Sequence, residues 1–168
     1  MEENPMLSVR IGKLTLNLGC GDAPQKIERA KQLLEKLTSQ TIVVTKSKRR
    51  STFGMPKGKP IGVMVTLRKK KAEEFFKAVL QSLGNKIKSS QLDNDGNIGI
   101  GIKEYIDLPS IKYMHDVGML GLDVAVSLER PGYRIKRRRI QKKDIPKKHK
   151  INKEDTINWL RQQGVMIE

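Results

Sequence analysis

Leu14, Leu16 and Leu18 alternate with Lys13, Thr15 and Asn17, a period of two that predicts a strand with one dry side and one polar side. Gly19 and Gly21 break the pattern. Asp22 then stands where a helix N-cap would, with Pro24 in the first turn and Gln25 as the return partner of the cap. Ile27, Ala30, Leu33, Leu34 and Leu37 fall on one side of the helix that follows. A short apolar strand, Ile42-Val43-Val44, leads into residues 46–60, where Gly54, Pro56, Gly58 and Pro60 preclude regular structure.

Ile61, Val63, Val65 and Leu67 alternate with Gly62, Met64, Thr66 and Arg68, a second strand. The clearest helix covers 72–83: Ala72, Phe75, Phe76, Val79, Leu80 and Leu83 line one face, Glu73, Glu74, Lys77 and Gln81 the other. Gly84-Asn85 ends it. Asp95-Gly96 is a tight-turn signal that introduces a third strand, Ile98, Ile100 and Ile102 alternating with Gly99, Gly101 and Lys103. Residues 106–121 show no period. A fourth strand places Leu122, Val124, Val126 and Leu128 opposite Asp123, Ala125 and Ser127. After a turn at Pro131-Gly132, residues 133–137 are expected to pair back as an edge strand. Residues 140–150 read as a basic linker, and Asn152 with Asp155 caps a last short helix.

The strands share a property. Each has an apolar side that a helix can cover, and each opposite side carries small or polar groups: Lys13, Thr15 and Asn17; Gly62 and Thr66; Gly99, Gly101 and Lys103; Ala125 and Ser127. The expected fold is therefore α+β, an open and mostly antiparallel sheet with helices on one face and a bare polar side. Antiparallel sheets often leave one face to water. A face rich in Gly and Ala, however, lets another backbone approach closely, which favours a contact surface. The whole of 1–168 is expected to form one domain, since a chain of 168 residues suffices for a single core.

Charge changes the picture. Lys and Arg number 34 against 18 Asp and Glu, a net charge of +16. The cations cluster: residues 46–60, 68–71 and 130–150 hold 21 of the 34, and Asp144 is the sole acid in the last stretch. A charge run is ordinarily a solvated face, and an anionic membrane surface is another taker of cations. Clustering without balancing acids favours nucleic acid over both.

Other classes fall away. A single Cys excludes an internal disulfide and a Cys-based zinc site, and the two His stand far apart. No apolar run is long enough to span a membrane, and the acidic start MEENPMLSVR lacks a secretory apolar core; an intracellular, soluble protein is expected. Gly19-Cys20-Gly21 lacks the third glycine of a dinucleotide fingerprint, and the segment from Gly54 to Lys59 is one residue short of a phosphate loop, with Pro60 where the magnesium-holding hydroxyl belongs. Cys20 has no evident His partner and reads as a small semi-buried residue. No enzyme activity, metal or cofactor is expected. Seven aromatics are too few for a base-stacking platform. Recognition by sheet hydrogen bonds, phosphate contacts and basic loops remains, which suits folded RNA.

Five ordered blocks carry a resemblance: KLTLNLGCGDA at 13–23, LTSQTIVVTKSKR at 37–49, KPIGVMVTLR at 59–68, GNIGIGIKEYI at 96–106 and GLDVAVSL at 121–128. From Asn4-Pro5 onward the chain resembles the large-subunit ribosomal protein five family, the 5S-rRNA-binding protein of the central protuberance. Its basic segment at 130–160 is similar to the archaeal and eukaryotic branch. The resemblance implies a ribosomal, cytoplasmic protein that binds 5S rRNA through the sheet side, with Asn17, Gln40 and Thr66 at matched positions; Lys13, Thr15 and Arg68 extend that surface. It implies that the 46–60 loop reaches peptidyl-site tRNA, through Lys46, Lys48, Arg49, Arg50, Ser51, Thr52, Phe53, Gly54 and Met55. Arg134, Lys136, Arg137, Arg138 and Arg139 are the expected phosphate contacts to other rRNA. Large-subunit rRNA, neighbouring ribosomal proteins and a small-subunit bridge protein complete the implied partners. The competing expectation is a non-ribosomal RNA chaperone or a translation-associated RNA-binding protein.

Overall fold

The computed structural model describes residues 4–21, 23–50, 54, 56–109, 111 and 113–168. The elements follow in the order β1 (Arg10–Gly19), α1 (Pro24–Thr38), β2 (Val43–Lys46), β3 (Pro60–Leu67), α2 (Lys70–Ser82), β4 (Lys86–Ile87), β5 (Asn97–Ile102), β6 (Leu122–Glu129), α3 (Arg134–Arg137), α4 (Lys153–Gln162) and β7 (Met166–Ile167). Five strands form one sheet in the order β2-β3-β1-β6-β5, and β4 and β7 form a separate parallel pair. The pairs β1–β3 and β2–β3 are antiparallel. This is the α+β sheet that the alternation of apolar and polar positions predicts.

By packing density the chain divides into two units: residues 1–13, 68–99 and 126–168 in one, 14–67 and 100–125 in the other. In the second unit, Leu14, Leu16, Leu18, Val63 and Val65 are buried on one side of the sheet together with Ala30, Leu33 and Leu34 of α1, which packs on β3. Burying a Leu or Val side chain contributes roughly 1.5–3 kcal/mol, so this layer is the main reason the period-two strands hold their register. Tyr105 is fully buried in the same unit, and its hydroxyl accepts the Met114 backbone N–H at 3.0 Å. That bond ties Tyr105 to Met114, a residue of a stretch in which the sequence shows no period.

In the first unit, α2 buries Ala72, Phe76, Val79 and Leu80, and α4 buries Thr156 and Leu160. Phe76 and Trp159 stack with ring centroids 5.8 Å apart. Asn152 and Asp155 form the expected capping box at the start of α4.

The structure departs from the sequence reading at 134–137 and at Gly62, and one expectation falls outside the described residues. Residues 134–137 are a helical turn instead of an edge strand: the Arg138 N–H donates to the Arg134 carbonyl at 2.9 Å. The cause is local and tertiary. Gly132 sits at a φ of 95°, and the Tyr133 hydroxyl accepts from the Ile151 N–H and donates to the His149 carbonyl, which ties the turn to α4's approach instead of to a strand. The expected cap at Asp22 lies outside the described residues; α1 starts behind Ala23 with no side-chain cap and with Pro24 in its first turn. Gly62, expected on the open side, is buried because the Leu18 carbonyl and Thr45 close over it.

Candidate nucleic-acid interface

Antiparallel register brings the predicted polar residues of β1 and β3 together. Thr15 faces Thr66 and Asn17 faces Met64, so Asn17 and Thr66 are diagonal neighbours, roughly 7–8 Å apart in such a ladder. Lys13 stands on the same side of β1, exposed, while Thr15, Asn17 and Thr66 are half-buried. Gly101, Lys103, Asp123 and Ala125 on the corresponding side of β5, β6 and the turn after β5 are exposed as well. Amide and hydroxyl groups held half-buried on a rigid ladder donate and accept hydrogen bonds with little conformational cost, which suits sugar and base edges.

The face is not uniformly polar. Val43, 50% exposed on the edge strand β2, faces Met64, which in turn faces Asn17. An apolar strip therefore runs beside the amide. In the sequence Val43 belongs to a short apolar strand; the edge position of β2 leaves it uncovered. Gln40 is exposed in the connection between α1 and β2, and Arg68 is exposed just after β3.

The β2–β3 loop has a closed base. The Ser47 N–H donates to the Lys59 carbonyl at 2.8 Å and the Gly58 N–H to the Ser47 carbonyl at 2.9 Å. The Ser47 hydroxyl donates to the Arg49 carbonyl at 2.6 Å. Lys46, Lys48, Arg49, Arg50 and Gly54 are exposed. Ser51, Thr52, Phe53 and Met55 lie outside the described residues.

The basic C-terminal segment sorts into two kinds of cation. Arg134, Lys136, Arg138 and Arg139 are exposed; the Arg138 Nε–H also donates to the Gln141 carbonyl at 2.8 Å. Arg137, also expected as a phosphate contact, is exposed as well and is ion-paired to Glu129, which also lies 4.0 Å from Arg10. Arg130 is committed too: its side chain is only 11% exposed and meets Asp155 at 3.0 Å. His149 proves structural, its Nε2 meeting the Pro131 carbonyl at 2.8 Å; since a carbonyl only accepts, Nε2 carries the proton. The signal for these partners was weak in sequence, because Glu129 and Asp155 sit beyond the segment whose charge they balance.

Little else invites chemistry. Among the described residues no group of three His, Cys, Asp or Glu side chains gathers to hold a metal, and no helix is long and apolar enough to cross a membrane. Cys20 is buried, and that burial pushes its thiol above the usual pKa.

Comparison with known proteins is consistent across the chain. Residues 4–53 match the family model of ribosomal protein L5, and residues 60–159 that of the ribosomal L5P family C-terminus. The large ribosomal subunit protein uL5 of Sulfurisphaera tokodaii is 46% identical over 161 residues, covering 95% of this chain and 91% of the relative. That of Nanoarchaeum equitans is 44% identical over 168 residues, covering 98% and 99%. That of Methanosphaera stadtmanae is 41% identical over 167 residues, again covering 98% and 99%.

Proposed function

The chain belongs to the ribosomal protein L5 family, a structural and non-enzymatic component of the large ribosomal subunit in the cytoplasm, and from that premise we propose that its open sheet side binds 5S rRNA. The observation that carries this reading is the Thr15–Thr66 pair with Asn17 diagonal to it, on a side of the sheet left uncovered beside the exposed Lys13. Gln40 and Arg68 extend the surface. The Val43–Met64 strip supplies apolar area against which a sugar packs. Through this contact the protein helps attach 5S rRNA to the large rRNA in the central protuberance, with Arg134, Lys136, Arg138 and Arg139 supplying further phosphate contacts. The loop from Lys46 to Met55 reaches the peptidyl-site tRNA, and other surfaces meet neighbouring ribosomal proteins, including a bridge protein of the small subunit.

The test is the double substitution Asn17→Ala, Thr66→Ala. Both side chains stand away from the apolar layer, so the thermal unfolding midpoint stays near that of the parent. Affinity for 5S rRNA, measured by filter binding, falls by about 1–3 kcal/mol, the scale of hydrogen bonds lost from a desolvated interface. Undiminished binding by the folded variant means that the RNA lies elsewhere.

A further inference from the structure

A second cationic feature lies within the first unit, where the start of β1, the end of β6 and the segment after α3 enclose a cleft of about 360 Å³. Lys13, Lys136 and Lys142 line it, all exposed, together with the exposed Asp144. A second acid in the lining is held in an ion pair. The Glu129 side chain is only 18% exposed and is gripped by Arg137, with Arg10 at 4.0 Å. Its path crosses β1 at Gly12. A Cβ at Gly12 would lie 2.6 Å from Glu129 Cδ and 2.7 Å from its Cγ, closer than carbon atoms approach without displacement. Glycine at this point of a strand, where it weakens the strand itself, is what lets the carboxylate reach the guanidinium.

We propose that this cleft seats a backbone phosphate of an RNA, and that Glu129, through its latch on Arg137, is the positioning residue that holds Lys136 and Lys142 facing Lys13. The physical argument is one of sign. An acid among cations that bind RNA opposes binding by simple Coulomb repulsion. This one is neutralised by two arginines and spends its charge on geometry. Arg137 belongs to the helical turn that also carries Lys136. Tyr133 holds the start of that turn and the ion pair with Glu129 holds its end; released at that end, Lys136 no longer keeps a fixed place in the lining it shares with Lys13 and Lys142. Converging cations preorganised around one anion bind it more tightly than the same charges on mobile chains.

The inference rests on the reading that this protein binds 5S rRNA, and the test separates the two. Glu129→Gln and Asp144→Asn each raise the net charge by one. With 5S rRNA in filter binding, D144N leaves the affinity unchanged or raises it, whereas E129Q lowers it about five- to tenfold and flattens its dependence on salt. Gly12→Ala, which leaves charge untouched but displaces the Glu129 side chain, follows E129Q. Binding to heparin, which reads charge without shape, is unchanged or tighter for all three. Circular dichroism and thermal melts confirm that each variant is folded; if G12A does not fold, the opposite responses of E129Q and D144N still decide. Should E129Q bind 5S rRNA as D144N does, equally or more tightly than the parent, the latch has no positioning role and the proposal is overturned. Should the parent itself bind 5S rRNA no better than it binds an unrelated RNA of equal length, the 5S reading fails. The latch is then judged on total large-subunit rRNA with the same two variants and the same opposed signs.

Discussion

Gly62 shows how much a single position decides. A Cβ there would stand 2.5 Å from the Leu18 carbonyl oxygen and 3.0 Å from the Thr45 hydroxyl, so the three strands approach one another at a point that tolerates no side chain. Gly99, in β5, has nothing within 4 Å of the same construction. Gly62→Ala is therefore expected to destabilise the protein by about 1–3 kcal/mol, the usual cost of overpacking, while Gly99→Ala is neutral or slightly stabilising because alanine restrains the unfolded chain. Urea unfolding of the two variants side by side checks the pair; equal midpoints would contradict the close approach. The two glycines look alike in the sequence, each alternating with apolar neighbours. What separates them is the cross-strand neighbour, which alternation does not report. Asn17 and Thr66, by contrast, were legible, since a period of two assigns a side to each residue before any partner is known.

At the scale of elements, β1, β3, β5 and β6 and the helices α1, α2 and α4 follow from periodicity and from the Asn152–Asp155 cap, because each hides its apolar face locally; the two-residue strands β4 and β7 are too short to show a period. The turn at Arg134–Arg137 does not follow. Its shape depends on Tyr133 meeting residues 149 and 151 and on Arg137 meeting Glu129, contacts that no short window contains. The β2–β3 loop lies between these extremes: its glycines and prolines announce a loop, while its closed base is a product of pairing. Because Ser47, Gly58 and Lys59 fix that base, charges beyond it project from a rigid edge of the sheet. Replacing Lys48, Arg49 and Arg50 by Gln is expected to leave 5S rRNA binding within a few-fold while weakening retention of peptidyl-site tRNA on assembled ribosomes. Footprinting of both RNAs on ribosomes carrying the altered loop reads the result. Normal tRNA protection with loss of 5S rRNA would assign the loop to assembly instead.

For the whole molecule the governing quantity is a net charge of +16. Acids neutralise cations at a few places, Glu129 and Asp155 among them, and most of the excess is left on the surface. Self-repulsion of this size opposes compaction, and salt screens it. Salt also restores counterions to RNA, with an affinity slope of roughly 0.7–0.9 per phosphate neutralised. The same change of medium thus acts in opposite directions on folding and on binding. Raising potassium chloride from roughly 0.05 to 0.5 M, around the range where the screening length falls below about 10 Å, is expected to raise the thermal midpoint of the free protein and to lower its affinity for 5S rRNA steeply. A midpoint that falls with salt would mean that the ion pairs outweigh the repulsion. The charge itself is plain in the composition. The division of the chain into two units is not, because each unit is stitched from separated segments.

That stitching bears on how the chain is made. The unit that contains 14–67 and 100–125 has all its segments in hand once residue 125 has left the synthesising ribosome. The other unit waits. Its β4 at Lys86–Ile87 pairs with β7 at Met166–Ile167, and the Glu168 carbonyl accepts the Ser89 N–H at 2.7 Å. Some eighty residues separate these partners, a loop whose closure is slow for entropic reasons. At a synthesis rate of about 5–20 residues per second, the nascent chain spends several seconds with one unit complete and the other open. The order of emergence along the tunnel thereby sets the order of folding.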